Sequence, residues 1–189
     1  MPTTKTTPTE ILRSAWAVFH QYGYHDASLQ QLADAAGLGK AGLLHHFGSK
    51  AGIMRAVIEY GVEWYHRKIL HIVSGEGTAA ARLETLLRKQ YELCMLNEGG
   101  GCFFGNTILE TGVNGAFADG LQGFHDAWSA AVTTLLSEIF PPEEARERTY
   151  RLFADYQGSV ILFKLYQDVS HLDRFLERAL ASLDQPLAQ

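Results

Sequence analysis

The segment from Ser28 to Lys50, SLQQLADAAGLGKAGLLHHFGSK, decides the fold of this chain. It predicts two short helices joined by a glycine turn, followed by a second glycine break at Gly48. Ser28 and Gln31 form a capping box at the start of the first of these helices. Helices this short bury little surface alone, so their order is typical of a helix-turn-helix, which carries its second helix as a probe for the DNA major groove.

The residues on either side of this segment predict longer helices. Thr7, Pro8 and Glu10 combine an N-cap, a proline at the first helical position and the acid of a capping box. The apolar residues that follow recur at helical spacing as far as Gly23, where we expect the first helix to end. After the two short helices, Ser49 is the expected N-cap of a long linking helix that runs to about residue 73.

The rest of the chain also predicts helices, because apolar residues recur at spacings of three and four and period-2 alternation is absent. We expect helices over about residues 78–95, 103–110, 117–139, 143–168 and 170–183. The predicted fold class is all-α with about nine helices: an N-terminal three-helix bundle that contains the helix-turn-helix, and a larger C-terminal helical domain. We place the domain boundary at residue 50, so that residues 1–50 form the first domain and residues 51–189 the second.

The composition fits a globular protein and excludes several classes. Of all residues, 47% are hydrophobic and 20% are charged, which is ordinary for a packed domain. The start of the chain is polar and no apolar run reaches the ~18 residues of a membrane span, so we expect a soluble, cytoplasmic protein with no membrane partner. The two cysteines, Cys94 and Cys102, do not make a disulfide framework.

The net charge of -5 is unevenly distributed along the chain. Residues 1–50 hold four basic residues against three acidic ones, while the remaining residues hold twelve basic against eighteen acidic. A slightly basic N-terminal part permits a surface that faces DNA, because phosphate binding depends on local charge rather than on total charge.

The segment from Gly23 to Tyr60, GYHDASLQQLADAAGLGKAGLLHHFGSKAGIMRAVIEY, resembles the signature of the tetracycline-repressor (TetR) family of bacterial regulators. The shared pattern is a Gly-Tyr turn, a helix started by Ser or Thr, Ala-Gly, a recognition helix that ends in an aromatic residue, and Ser-Lys. This covers roughly a fifth of the chain. The resemblance implies an all-α homodimer whose helix-turn-helix binds double-stranded DNA and whose C-terminal domain binds a ligand.

The resemblance assigns DNA contacts to three places. Ser28 and Gln30 start the supporting helix, and Ser49 and Lys50 start the linking helix, where free N–H groups attract phosphate. The recognition helix contributes Lys40, Ala41, Gly42, Leu44, His45 and His46. Lysine suits guanine or phosphate, and histidine suits bases or phosphates.

Three positions depart from the family pattern. Leu44 stands where the family usually has tyrosine, which removes a hydroxyl contact to phosphate. Gly39 replaces serine or threonine, which removes a side-chain cap, and Gly42 lowers helix propensity by about 1 kcal/mol relative to alanine. We therefore expect a short recognition helix that is loosely held without DNA.

Aromatic residues of the C-terminal part predict a mostly apolar cavity for a small effector, with Asn106, Glu110 and Gln157 among its few polar groups. A solid core is the alternative explanation for each aromatic residue. The residues expected to bind the effector are Trp64, Tyr91, Cys102, Phe103, Asn106, Phe124, Trp128, Phe153 and Gln157.

The resemblance also implies dimerisation through the last two long helices. The residues expected at this interface are Val160, Ile161, Leu165, Leu172, Phe175, Leu176 and Ala179. Together these features predict a repressor that leaves a palindromic operator when the effector favours a state in which the two DNA-binding heads no longer match the operator.

The thiol of Cys102 leaves a second interpretation open. It lies in the sequence GGGCFFGN, where a helix is expected to begin, and a helix N-terminus lowers the pKa of a thiol. The segment is also similar to a GC-x-x-GN region found in part of the TetR family, including members that sense electrophiles or oxidants. The alternatives are therefore a thiol-based sensor, plain packing of Cys102, and a ligand carrier that does not bind DNA.

The sequence contains no pattern that predicts catalysis or metal binding. A Ser-His-Asp order, a phosphate loop and a nucleotide motif are absent. His45 and His46 are adjacent, so their side chains diverge by about 100° on a helix and do not share an ion. We expect a protein that is not an enzyme and that uses neither a cofactor nor a metal.

Overall fold

The computed structural model describes residues 7–112 and 115–184, without the side chains of residues 97 and 98. Every regular element in these ranges is helical, which confirms the predicted all-α class. The α-helices are α1 (Pro8–Asp26), α2 (Leu29–Ala35), α3 (Lys40–Phe47), α4 (Lys50–Lys68), α5 (Ala79–Cys94), α6 (Leu96–Gly99), α7 (Phe103–Thr111), α8 (Ala118–Leu136), α9 (Pro142–Tyr166) and α10 (Ser170–Ala181). Two 3-10 helices add Leu70–Ser74 and Ser182–Asp184.

Two helices start with the predicted capping boxes. The Thr7 hydroxyl accepts a hydrogen bond from Glu10 N at 3.3 Å, and the Glu10 carboxylate accepts one from Thr7 N at 2.8 Å. Ser28 and Gln31 make the same reciprocal pair at the start of α2, at 3.2 and 2.8 Å. These bonds satisfy N–H groups that the first turn of a helix leaves without helical partners.

The ends of α1 and α4 differ from the expected ones, and α8 ends at Leu136 rather than near residue 139. Helix α1 continues for three residues beyond a break at Gly23, whose φ of +77° and ψ of 175° are not helical. Helix α4 ends at Lys68, and the chain continues in the 3-10 helix Leu70–Ser74. The Arg82 guanidinium donates to the carbonyl of Val73 in this 3-10 helix. This tertiary contact stabilises the 3-10 segment after α4, which helical periodicity alone did not predict.

The chain divides into two compact units. The first contains the described residues up to 64 together with 103–112 and 115–123, and the second contains residues 65–102 and 124–184. The chain passes from one unit to the other inside α4 and again inside α8. The functional boundary expected at residue 50 stays a prediction, since packing groups α4, up to residue 64, with α1 to α3.

The first unit has an apolar core to which several of its helices contribute. Its fully buried side chains include Ala15, Leu32, Leu43, Ile53 and Val57. Helix α7 packs here through Phe103 and Phe104, whose ring centroids lie 5.5 and 6.5 Å from that of Trp16 in α1. Gly120 of α8 is so close to α4 that an added Cβ atom would lie 2.8 Å from Ile58 Cγ2. This packing joins α7 and the start of α8 to α1 and α4.

The second unit buries apolar side chains of α5, α8, α9 and α10. Its fully buried residues include Leu83, Leu86, Trp128, Val132 and Leu135. Arg148 is a buried charge in this unit: its guanidinium donates to Glu144 and to the carbonyl of Ser182, and its Cζ lies 3.9 Å from the centroid of the Phe140 ring. These partners compensate the loss of hydration that burial imposes on the guanidinium.

Candidate nucleic-acid interface

Helices α2 and α3 present exposed side chains from an anchored scaffold. Helix α3 is held by Leu43, whose side chain is 0% exposed, and α2 by the buried Leu32 and Ala33. The predicted recognition-helix residues are exposed except for Leu44, which is half-buried; the exposed ones are Lys40, Ala41, Gly42, His45 and His46. The structure therefore gathers them on the solvent-facing part of a single short helix.

The start of α3 has no side-chain cap, as the sequence predicted. Gly39 occupies the N-cap position with extended backbone and makes no side-chain hydrogen bond. An added Cβ atom at Gly39 or at Gly42 would meet no atom within 4 Å. A larger side chain would therefore fit at either position. The weak intrinsic helix propensity of α3 follows from its residue types alone.

Ser28 and Gln30 lie exposed at the start of α2. The Ser28 hydroxyl accepts a hydrogen bond within the capping box, and Gln30 Nε2 donates to Asp34 Oδ1 at 2.6 Å. Both side chains already have intramolecular partners, so a contact with DNA has to use their remaining donors and acceptors.

Ser49 and Lys50 occupy the start of α4, where the Ser49 hydroxyl caps the helix. Lys50 Nζ donates to the carbonyls of His25 and Ala27, both at 3.0 Å, and lies 4.9 Å from the centroid of the Tyr24 ring. An ammonium group has three donors, so one is left for a phosphate. Sequence reasoning assigned Lys50 to phosphate and missed these intramolecular contacts.

Glu110 of α7 belongs to the same junction, although sequence reasoning placed it among the polar groups of an effector cavity. Its carboxylate accepts hydrogen bonds from Tyr24 N at 2.8 Å and from His25 N at 2.6 Å. These partners lie 86 and 85 positions away in the chain, so no local pattern predicts the contact. The conformation of Gly23 is the available hint, because it marks where α1 breaks and exposes these N–H groups.

The residues expected to bind an effector are divided between the two units. Trp64, Phe103 and Asn106 belong to the first, where the rings of Trp64 and Phe103 both lie against Trp16. The second unit contains Tyr91, Cys102, Phe124, Trp128, Phe153 and Gln157. Within the second unit, the Trp128 ring centroid lies 5.3 Å from that of Phe153.

Polar and thiol groups lie inside the apolar second unit. Cys94 Sγ is 2.9 Å from the Tyr156 hydroxyl, and Cys102 Sγ is 3.7 Å from Gln157 Nε2. Burial raises the pKa of the Cys94 thiol to about 12, and it holds the pKa values of Tyr65 and Tyr156 well above their usual range. Cys94 is therefore a neutral thiol at physiological pH rather than a reactive thiolate. Sequence reasoning did not assign a site role to Cys94 or Tyr65.

Cys102, the residue of the alternative sensor interpretation, lies immediately before α7 and is 9% exposed. Reactive thiols are accessible to their oxidants and electrophiles. Low exposure therefore favours packing over reactivity at this position. The thiol-sensor interpretation stays a prediction.

The residues predicted for a dimer interface occupy two environments. Four of them are buried within the chain itself, namely Val160, Leu172, Phe175 and Ala179. Leu176 is half-buried, whereas Ile161 and Leu165 are 49% and 67% exposed. The exposed residues that follow one another at helical spacing on α9 are Tyr150, Ala154, Gly158, Ile161 and Leu165, which we call the α9 face.

Other kinds of site have little support in the described ranges. No group of three or more His, Cys, Asp or Glu side chains there is placed to hold a metal ion. Nor is any helix there both long and apolar enough to cross a membrane. Ser129, His125 and Asp126 lie together on α8, but the His125 contacts are 3.3 and 3.4 Å long and the Asp126 side chain is exposed. This set therefore lacks the buried acid that orients a catalytic histidine.

The helix-turn-helix region matches a family of known regulators. Residues 11–57 match the model of bacterial regulatory proteins of the tetR family. The chain is 24% identical over 180 residues to an uncharacterized HTH-type transcriptional regulator in the lacX 3' region of Lactococcus lactis, with 89% of each chain covered. It is 31% identical over 84 residues to the HTH-type transcriptional repressor KstR2 of Rhodococcus jostii, a match that covers 44% of this chain and 41% of that protein.

The fold as a whole is similar to solved structures. A TetR transcriptional regulator from Legionella pneumophila has a TM-score of 0.81 at 21% identity, with 98% of both chains covered. A cysteine mutant of the TetR-family regulator CifR, complexed with 26 bp double-strand operator DNA, has a TM-score of 0.78 at 22% identity and covers 95% of this chain and 98% of its own. The caps, the family match and the fold agree: residues 11–57 form a helix-turn-helix region of the tetR family type, and the described chain has the fold of solved TetR-family transcriptional regulators.

Proposed function

We propose that this protein is a homodimeric repressor that a small, largely apolar effector releases from a palindromic operator. The observation that carries the proposal is α3, which Leu43 anchors in the core while Lys40, His45 and His46 face solvent. A short helix of this kind fits the major groove, where its side chains reach the edges of the bases. The CifR complex with operator DNA supports this docking, since that protein has a similar fold.

The proposed contacts divide into base readout and phosphate positioning. Lys40 lies in the first turn of α3 and donates to guanine or to phosphate, while His45 and His46 extend from the last turn. The same helix would approach the DNA closely and make apolar contacts with it through Ala41, Gly42 and Leu44. The flanking residues that suit phosphate are Ser28, Gln30, Ser49 and Lys50.

Lys40→Ala and Lys50→Ala are expected to weaken DNA binding for different reasons. Lys40 is exposed, so its loss should weaken binding to all DNA and reduce the slope of log affinity against log salt by about 1, with an unchanged free energy of unfolding. Loss of Lys50 should lower both affinity and stability, because the carbonyls of His25 and Ala27 lose a charged donor. Salt titrations of duplex binding and denaturant unfolding measure these effects.

The control for this pair is Lys89→Ala, which removes an exposed lysine from α5 in the second unit. We expect this variant to match the wild type in salt slope. Equal stability of Lys50→Ala and Lys40→Ala would contradict the structural role given to Lys50. A salt slope that Lys40→Ala leaves unchanged would contradict the proposed docking of α3.

Homodimerisation through the α9 face is the second part of the proposal. An apolar surface left exposed on a protomer is typical of an interaction site. Ala154 and Gly158 are small, so a partner helix approaches closely beside the larger Ile161 and Leu165. A two-fold axis makes such a surface self-complementary. It also fits an operator whose half-sites lie about 34–36 Å apart.

The second unit supports the effector part of the proposal. Gln90, Tyr156 and Gln157 place hydrogen-bonding groups among buried aromatic side chains, and this mixture is typical of small-molecule sites. The effector can lower operator affinity by no more than the ratio of its own affinities for the conformation that binds DNA and the one that does not. The repressor role is supported by the relative KstR2, which is a transcriptional repressor.

Selection of bound duplexes from a random pool tests this function. We expect enrichment of a palindrome whose half-site centres lie about 10–10.5 base pairs, or a multiple of this, apart. A pool without enrichment would contradict sequence-specific binding, and enrichment of isolated half-sites would contradict the dimer. Transcription from a promoter that carries the selected palindrome then distinguishes repression from activation.

A further inference from the structure

The turn that joins α1 to α2 is held at both ends by charged side chains. At its start, the Glu110 carboxylate accepts hydrogen bonds from the backbone N–H groups of Tyr24 and His25, at 2.8 and 2.6 Å. At its end, Lys50 Nζ donates to the carbonyls of His25 and Ala27. A carboxylate therefore meets the N–H end of this turn and an ammonium group meets its carbonyl end, which is the favourable arrangement for a helical turn.

The Glu110 carboxylate is fixed in place by the packing of α7. Phe103 and Phe104, at the start of this helix, lie against Trp16 of α1. Phe104 also touches α4, where an added Cβ atom on Gly61 would lie 3.2 Å from its Cζ. Hydrogen bonds to an ionised acceptor are stronger than those between neutral groups, so a carboxylate on a fixed helix determines where the two N–H groups lie.

The position of this turn decides how the helix-turn-helix begins. Ala27 is followed directly by Ser28, the N-cap of α2, and α3 packs on α2. We propose that Glu110 is a positioning residue for operator binding: its carboxylate sets the direction in which α2 and α3 leave α1, so that operator affinity depends on where α7 holds it. This inference rests on the proposed binding of an operator and extends it to a residue outside the helix-turn-helix.

The test compares Glu110→Gln with Glu59→Gln, a change at an exposed glutamate of α4. Both variants lose one negative charge, and that loss alone tightens binding to DNA phosphates. A glutamine at residue 110 retains one acceptor oxygen but presents an N–H₂ group to the second N–H. Relative to Glu59→Gln, we expect Glu110→Gln to bind the selected operator about 10- to 100-fold more weakly, and a scrambled duplex of the same length equally well.

Amide hydrogen exchange provides a second readout at the turn itself. We expect the amides of Tyr24 and His25 to be protected in the wild type and in Glu59→Gln, and to exchange faster in Glu110→Gln. Glu110→Asp keeps the charge but withdraws the carboxylate by one methylene group, so the wild type is its direct control. Glu110→Asp should weaken operator binding by less than Glu110→Gln. If the glutamine variant does not fold, the comparison of Glu110→Asp with the wild type still tests the positioning role.

The outcomes separate this inference from the function on which it rests. Wild-type protein that selects no operator would refute both. Wild-type protein that binds an operator, with Glu110→Gln equal to Glu59→Gln, would refute the positioning role alone. Equal losses for operator and scrambled duplex would also refute it, because a general loss of folded protein weakens both, whereas misorientation of α3 weakens only specific binding.

Discussion

Ile161→Glu is expected to convert the protein from a dimer into a monomer and to lower operator affinity by about 100- to 10,000-fold, the range over which a second linked contact strengthens binding. Ile161 is exposed within the α9 face, where the two protomers are proposed to bury apolar surface. A carboxylate buried there without a partner costs several kcal/mol. Each monomer would then hold its half-site alone.

The matched control is Ile139→Glu, which introduces the same charge at an isoleucine of the same unit. Ile139 is 42% exposed, close to the value for Ile161, but it lies outside the α9 face. Sedimentation velocity and titration of the selected operator measure both variants. We expect Ile139→Glu to remain dimeric with unchanged affinity. A dimeric Ile161→Glu would move the interface elsewhere, and equal effects of both variants would indicate a general effect of charge.

Gly23→Ala is expected to destabilise the first unit by about 3 kcal/mol, the upper end of the cost of holding a residue in a sparsely populated backbone conformation. Gly23 has φ +77° and ψ 175°, which residues with a Cβ atom essentially do not adopt. The added methyl group would also lie 2.8 Å from Glu110 Oε2. The carboxylate would have to retreat from the N–H groups of Tyr24 and His25, so the variant loses these contacts as well.

Gly42→Ala is the control: it is also a glycine-to-alanine substitution, but we expect it to change the free energy of unfolding in the opposite direction. Gly42 lies within α3, and an added Cβ atom there would meet no atom within 4 Å. We expect this change to stabilise the protein by about 0.5–1 kcal/mol through higher helix propensity. Urea unfolding followed by circular dichroism measures both variants. A neutral Gly23→Ala would mean that the break in α1 is not a fixed feature of the folded protein.

The helix starts illustrate what could be predicted without the structure. The capping boxes of Thr7 with Glu10 and of Ser28 with Gln31 were predicted because each involves side chains three positions apart. The missing cap at Gly39 followed from the residue type alone. Local hydrogen bonding of this kind depends on neighbouring residues, and a linear pattern therefore contains it.

The residues predicted for the dimer interface illustrate the opposite case. Val160 and Leu165 have equal apolar character and lie on the same helix, yet the first is buried in its own chain and the second is exposed. Helical spacing predicts that both avoid water, but it does not say whether the covering surface comes from the same chain or from a partner. Tertiary packing makes that distinction: Val160 Cγ1 lies against Gly101 of the same chain, 3.1 Å from where an added Cβ atom would be.

The amino-acid sequence by itself determined the all-α class, the helix-turn-helix and the resemblance of this region to the TetR family, because caps, glycine breaks and apolar periodicity are relations between residues a few positions apart. Only the tertiary structure decided that Lys50 holds the carbonyls of His25 and Ala27, and that Glu110 holds the N–H groups of the same turn. Those contacts join residues that lie 23 to 86 positions apart. A hydrogen bond over such a separation exists only once the packing of α7 and α4 has brought its donor and acceptor together.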